Sequence, residues 1–299
     1  MTTTVDPTAA GVDGRAASDR AANGPTGMAD AGPDWVSGLP FVALHLAPVA
    51  IVATGFGAAD VVLVAVLYVV RMFFITAGYH RYFSHRSYRL GRTAQLAMAV
   101  GGITAAQKGP LWWAAHHRRH HRYADTRRDL HSPRDGLWWS HAGWVLSRRS
   151  KRADLSLVDD LARYPELRVV DRLQAVGPWA LGLACYLLAG WAGVVAFAIS
   201  TVLLWHATFT VNSVAHRLGR RRYDTPDDSR NCWPVALVTL GEGWHNNHHH
   251  YPRSVRQGFV WWELDPTYYA LRALAALGVV HDLRTPPARA LAARLRQDR

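Results

Sequence analysis

The residues best suited to chemistry in this 299-residue chain stand in three histidine clusters: His80-Arg-Tyr-Phe-Ser-His85, His117-Arg-Arg-His120-His121 and His245-Asn-Asn-His248-His249. Positions i, i+3 and i+4 of a helix share a face. Each HxxHH cluster can therefore offer three imidazoles to one metal or to a pair. His80 and His85 are five apart, about 140° around an α-helix, which predicts that they straddle the end of an element. His216 adds a ninth imidazole, and Asn212, one turn earlier on the same face, is a candidate for contact through water. Imidazole is a ligand for iron as well as zinc. A zinc hydrolase needs only three ligands and a water, so nine histidines exceed its requirement.

Not every histidine belongs to this set. His45, His131, His141, His206 and His281 stand apart from the clusters and read as surface or satisfied core residues. His116 and His250 extend two clusters, and His116 competes with His117 because it too lies i, i+4 from a neighbour, His120. Glu242 is the only acid inside a histidine motif. A carboxylate-bridged site is therefore not expected, and charge balance falls to water, hydroxo or oxo groups. Glu242 itself is either a hydrogen-bond partner of an imidazole or a plain helix-end carboxylate.

The elements that position these residues are apolar runs long enough to cross a bilayer, which takes about 20 residues. Four are expected, over residues 36–56, 61–79, 174–190 and 192–212, forming two tight hairpins. The run 93–106 is shorter and suits an interfacial or buried helix. Residues 21–70 hold no Lys or Arg, whereas 108–152 are dense with them. By the positive-inside rule both termini and the segment 80–173 lie in the cytoplasm. The fold class expected is an all-α integral membrane protein, one membrane domain over residues 34–285 whose cytosolic helical cap holds the histidine-rich site. Residues 1–33, without an apolar core, read as a disordered tail and not a signal peptide, and 286–299 as a basic C-terminal tail. Two cysteines, Cys185 and Cys232, give no CxxC and no disulfide framework.

In their order and flanks these motifs resemble the membrane fatty-acyl desaturases of the stearoyl-CoA desaturase type. The resemblance runs over residues 36–265 and rests on the HRYFSH motif at 80–85, WAAHHRRHH at 113–121, NSVAH at 212–216 and GEGWHNNHH at 241–249. It implies two irons held by His80, His85, His117, His120, His121, His216, His245, His248 and His249, with a water hydrogen-bonded to Asn212. It also implies an O2-dependent desaturase that places a cis double bond in a saturated fatty-acyl thioester, an acyl-CoA, at or near carbon 9. No His-Pro-Gly-Gly element is present, so no fused cytochrome b5 domain is expected. The electron donor is then external, a ferredoxin or cytochrome b5-like protein with its reductase. The family closes its acyl tunnel on the second span, which makes Tyr68 a candidate substrate contact, together with Trp113.

Competing readings are a membrane hydroxylase or acetylenase, an acyl-carrier-protein desaturase for medium chains, and a non-catalytic membrane metal carrier. The net charge of +12 invites nucleic-acid binding. The arginines, however, are interleaved with ligands beside the spans, where CoA phosphates, an acidic donor or anionic lipid heads suit them better. Arg71, inside the second span, is costly in lipid and is expected to face the protein interior.

Overall fold

The computed structural model describes residues 32–296. The tail expected over 1–33 lies almost wholly outside the described residues. Helix α1 (Trp35–Leu46) starts where the Asp34 carboxylate accepts the amide of Val36, 3.2 Å away. Lys151 holds that carboxylate at 2.8 Å. The first apolar run is thereby tied to the polar cap. Pro48 at the start of a 3-10 turn (Ala47–Ala50) interrupts it before α2 (Ile51–Thr54). Gly55, at φ 67°, then makes the break into α3 (Ala58–Phe73).

From Phe74 to Ser84 the α3 rod continues as a π-helix. A π-helix bonds i to i+5, so residues five apart stack on one face. His80 sits on the last turn and His85 caps the end, so the pair straddles the element end as expected, but the π spacing puts both rings on one face. Their rings are 4.9 Å apart.

Helix α4 (Arg92–Ile103) packs on this π segment through two glycines. A Cβ on Gly102 would lie 2.0 Å from the Tyr79 ring, and one on Gly101 2.4 Å from Phe74. Helix α5 (Pro110–Tyr123) carries the second cluster. Its free N-terminal amides at Leu111 and Trp112 donate to Asp171, at 2.9 and 3.1 Å. Asp171 belongs to α7 (Pro165–Arg172), which follows the short α6 (Asp159–Ala162).

The third and fourth runs are assigned as one helix, α8 (Val176–Ser213), but Ala189 (φ −141°) and Gly190 (φ 58°) are not helical. The left-handed value suits glycine, and it folds α8 into two arms. Helices α9 (Trp233–Val238), α10 (His245–His250) and α11 (Pro266–Ala276) complete the cap. A two-residue ladder pairs β1 (Arg89–Leu90) with β2 (Val280–His281). The expected C-terminal tail is anchored as far as it is described: α12 (Ala288–Ala292) is followed by a bridge from Leu295 to Tyr223.

Among the described residues, Ala58–Ser84 and Val176–Ser213 are long and apolar enough to cross a membrane, and Gly38–Ala53 is a shorter apolar helix. The outward faces of α1, α2, α3 and α8 expose Leu39, Leu46, Val52, Val62, Trp179, Leu187 and Leu188. An apolar belt of this kind marks a membrane or protein contact surface. Arg71 points inward, as expected. Its guanidinium donates to Ser200 Oγ (2.5 Å), Thr201 Oγ1 (2.7 Å) and the Leu67 carbonyl (3.0 Å).

Candidate metal centre

All nine predicted histidines converge, and they divide into two adjoining groups. His80, His85, His117, His121 and His248 form one; His120, His216, His245 and His249 form the other. Each HxxHH motif is split between them. In α5, His117 and His121 (i, i+4) face the first group and His120 the second. In α10, His245 and His249 face the second and His248 the first. The His121 and His249 rings are 4.5 Å apart across the boundary.

The donor set fits metal ions. Facing Nε2 atoms are separated by 3.1 Å (His80–His248), 2.7 Å (His85–His117), 3.0 Å (His117–His121), 2.8 Å (His121–His248) and 3.0 Å (His216–His245). Two nitrogens bound at right angles to one metal at about 2.1 Å would lie about 3.0 Å apart. Nε2 of His120 and of His249 is buried without a hydrogen-bond partner, so its lone pair is left for a cation.

Four carboxylates fix the rings from behind. Nδ1 of His80 lies 2.5 Å from Glu242, that of His120 3.0 Å from Asp129, that of His216 2.8 Å from Asp125 and that of His249 2.8 Å from Asp227. An Nδ1–H donated to a carboxylate commits Nε2 to the lone-pair form that a metal needs. The expectation that water or oxo groups alone balance the charge is thus revised, because four acids stand one ring behind the ligands. Glu242 is such a partner and not merely a helix-end group. Sequence reasoning missed Asp125, Asp129 and Asp227. Only the Asp125-x-x-x-Asp129 pair just after the second cluster hinted at them.

The remaining histidines now have places. His116 donates to the Trp112 carbonyl at 2.9 Å, and His250 stacks on Tyr223 with centroids 3.8 Å apart. Neither joins a group. His131 is closer than expected: its ring is 4.4 Å from that of His120, and Asp129 is 3.7 Å from its Nδ1. His45, His206 and His141 form a separate nitrogen-to-nitrogen chain (2.8 and 2.9 Å) that ends on Ser213 and pins α1 to α8.

Comparison with known proteins agrees with this geometry. The sequence profile of the fatty acid desaturase family matches residues 57–284. The chain belongs to that family. It is 36% identical to an sn-1 stearoyl-lipid 9-desaturase of Anabaena variabilis over 255 residues, 84% of this chain and 94% of the other. It is 39% identical to an sn-2 palmitoyl-lipid 9-desaturase of Nostoc sp. (strain 36), over 71% and 77% of the two chains. It is 37% identical to an acyl-CoA 5-desaturase of Anemone leveillei, over 72% and 68%.

Beside the histidines of this desaturase-family protein lies a cavity of about 1080 Å³. His80, His117, His245, Glu242 and Asn212 line its inner end, and Ile75, Trp205 and Phe209 its apolar wall. Trp113 lines the cavity and stacks on His117 at 5.0 Å. Its indole donates to Gln107 (3.3 Å), which donates in turn to Thr208 (2.8 Å). These three polar groups make a hydrogen-bonded clasp in a mostly apolar wall. Tyr68 does not line the cavity. Its hydroxyl donates to the Val238 carbonyl, which turns the ring toward α9.

Electrostatics favour metal-binding protonation states. Burial, and then the neighbouring imidazoles, hold His117, His121, His245 and His248 well below the ordinary histidine range. At neutral pH they are uncharged donors. Burial opposes charge on Asp129 and Asp227 too, but His120 and His249 outweigh it and keep both carboxylates far below their usual range.

Proposed function

We propose that this chain is an O2-dependent di-iron desaturase that removes two hydrogens from adjacent methylenes of a saturated fatty-acyl chain and leaves a cis double bond. The observation that carries the reading is the meeting of two histidine groups with the inner end of a long apolar cavity. Bound iron supplies the oxidising chemistry that an unactivated C–H bond requires. The five-histidine group would hold one ion and the four-histidine group the other, with Asn212 reaching the second through water. Glu242, Asp125, Asp129 and Asp227 hold four of the rings in register. Trp113, Gln107 and Thr208 set the depth of the acyl chain, and the apolar wall excludes water from the reacting methylenes.

For the substrate we propose an acyl-CoA, desaturated at or near carbon 9, with electrons from an external ferredoxin or cytochrome b5-like protein. A second reading, a lipid-linked acyl chain, is favoured by the cavity mouth. Val36, Leu39, Trp179, Leu183 and Trp191, all on the exposed apolar belt, line it. A chain already in the bilayer could enter sideways between α1 and the first arm of α8. Two of the relatives are named for lipid-linked substrates and one for acyl-CoA. We further propose four spans, the two arms of α8 counting separately, with the histidine groups and both termini on the cytoplasmic side. A metal carrier leaves the acyl-sized cavity without a use.

The test is fatty-acid profiling by lipid class in a desaturase-deficient host expressing wild type or His248→Ala. New monounsaturated chains with the wild type alone support the reading. Label appearing first in acyl-CoA or first in glycerolipid decides between the two substrates. Hydroxylated or acetylenic products would replace it with the sister chemistries.

A further inference from the structure

The cavity reaches the histidine groups from one side only. His85 does not line it. His85 instead lies in a second opening, a polar pit of about 610 Å³ lined by Ser84, His85, Tyr251 and the guanidiniums of Arg86, Arg118, Arg253 and Arg284. Asp160 is its one acid.

The pit is held open by the fold. Arg118 is spent on structure: it donates to the Phe83, Ser84 and Leu157 carbonyls and pairs with Asp160 at 2.6 Å. Arg86, at φ 52°, turns the chain directly after His85, and its guanidinium sits 4.5 Å over the Tyr82 ring. Its Nη1 is buried with no hydrogen-bond partner. Arg284 is fixed through its backbone to Ser87 and Val255. Arg253 and Arg284 are exposed, and neither side chain has an ion pair among the described residues. Arg253 and Arg284 are left without an acid, and Arg86 only shares Asp160 with Arg118, at 3.8 Å, around a histidine of the metal centre.

We infer that this pit is the docking site of an acidic one-electron carrier protein, and that His85 is the ligand through which its electrons reach the metal centre. The inference rests on the desaturase reading, because the stoichiometry demands such a partner. Converting –CH2–CH2– and O2 to –CH=CH– and two waters takes two electrons from the substrate, while O2 needs four. Two electrons and two protons must come from outside. The acyl cavity shares no lining residue with the pit, so donor and substrate do not compete for one opening. Electron-transfer encounters are small and weak, and they gain rate and orientation from complementary charge more than from buried area. A basic pit over a ligand provides that charge where the electron must enter.

The experiment uses the full-length protein in nanodiscs with an acidic [2Fe–2S] ferredoxin as probe. The Arg253→Glu/Arg284→Glu variant is compared with wild type and with Arg148→Glu/Arg152→Glu, a charge-matched control at exposed arginines outside the pit. Two readouts are taken: binding of oxidised ferredoxin to the metal-free protein, and the second-order rate at which the iron-loaded protein reoxidises photoreduced ferredoxin. The pit variant should lose about tenfold in both at low salt, with the difference closing as salt screens the charges. Iron content and acyl-substrate affinity should match wild type. Equal binding and rate in the pit variant, with loss in the control, overturns the site. So does inorganic phosphate that saturates the wild-type pit without displacing ferredoxin, which would assign the pit to a small anion. Alkene formation untouched by the pit variant sinks the docking site and leaves the desaturase reading. A pit variant that stops taking electrons, in a protein whose wild type makes no alkene, does the reverse.

Discussion

The chemistry of the site depends on which nitrogen of each imidazole carries its proton. Three carboxylates settle that choice by hydrogen bonds from His120, His216 and His249, and Glu242 stands 2.5 Å from Nδ1 of His80. Asp129→Asn and Asp227→Asn should each lower iron affinity roughly 10–100-fold while the protein still folds, read by titrating the metal-free protein. Wild-type affinity in both would show that the carboxylates do not tune the ligands. His120→Ala, His216→Ala and His248→Ala should abolish both iron binding and activity. His131→Ala, which removes only a second claimant on Asp129, should keep its iron. Acid should also weaken the metal-free fold. Burial pushes His116 down from 6.5 to about 4 and His249 likewise to about 4. Between those values the unfolded chain binds more protons than the folded one. This contribution is therefore complete above pH 6.5 and is lost as pH falls toward 4. The melting temperature of metal-free protein should drop across that window, less steeply in His116→Phe; a flat profile would contradict the assignment.

Element geometry decides how far apart the ligands stand. The π-helical stretch Phe74–Ser84 brings His80 and His85 onto one face, which an α-helix of the same sequence would not do. Its partner α4 has no room to give, since a Cβ on Gly102 would meet the Tyr79 ring at 2.0 Å. Gly102→Ala should cost about 1–3 kcal/mol in stability through overpacking. It should also lower iron occupancy, because Tyr79 adjoins His80 in the chain. Unchanged metal stoichiometry in a destabilised variant would show that the π segment moves without disturbing its ligands. In α5 and α10 the same HxxHH spacing feeds two histidine groups at once. A helix carries i and i+4 on one line and sets i+3 beside it, so two adjacent groups can share one helix.

At the size of the whole molecule, the proposed reading makes the apolar cavity the part that sets which chains are accepted. Tyr68 is turned toward Val238, so Tyr68→Phe should leave product chain length as it is. Ala198 is buried and lines the cavity. A ring there, in Ala198→Phe, should shift products toward shorter chains, as read by gas chromatography–mass spectrometry. Longer products, or none altered, would place the chain elsewhere.

Much of this was legible in the residues themselves. The clustered histidines, the long apolar runs between them and the glycine break at Gly190 are local signals. Hydrophobic length and ligand spacing act within a few turns of one chain, so they mark the apolar helices and the histidine clusters, while the set of nine imidazoles came from the family resemblance. Three things came only from the folded molecule. Which histidines share an ion depends on helix faces meeting across distant segments. That His116 and His250 stand aside depends on the carbonyl and ring that hold them. Asp125, Asp129 and Asp227 act on rings 9 to 91 residues away. No periodicity or motif records a contact of that kind, because hydrogen bonds between side chains follow proximity in space and not in sequence.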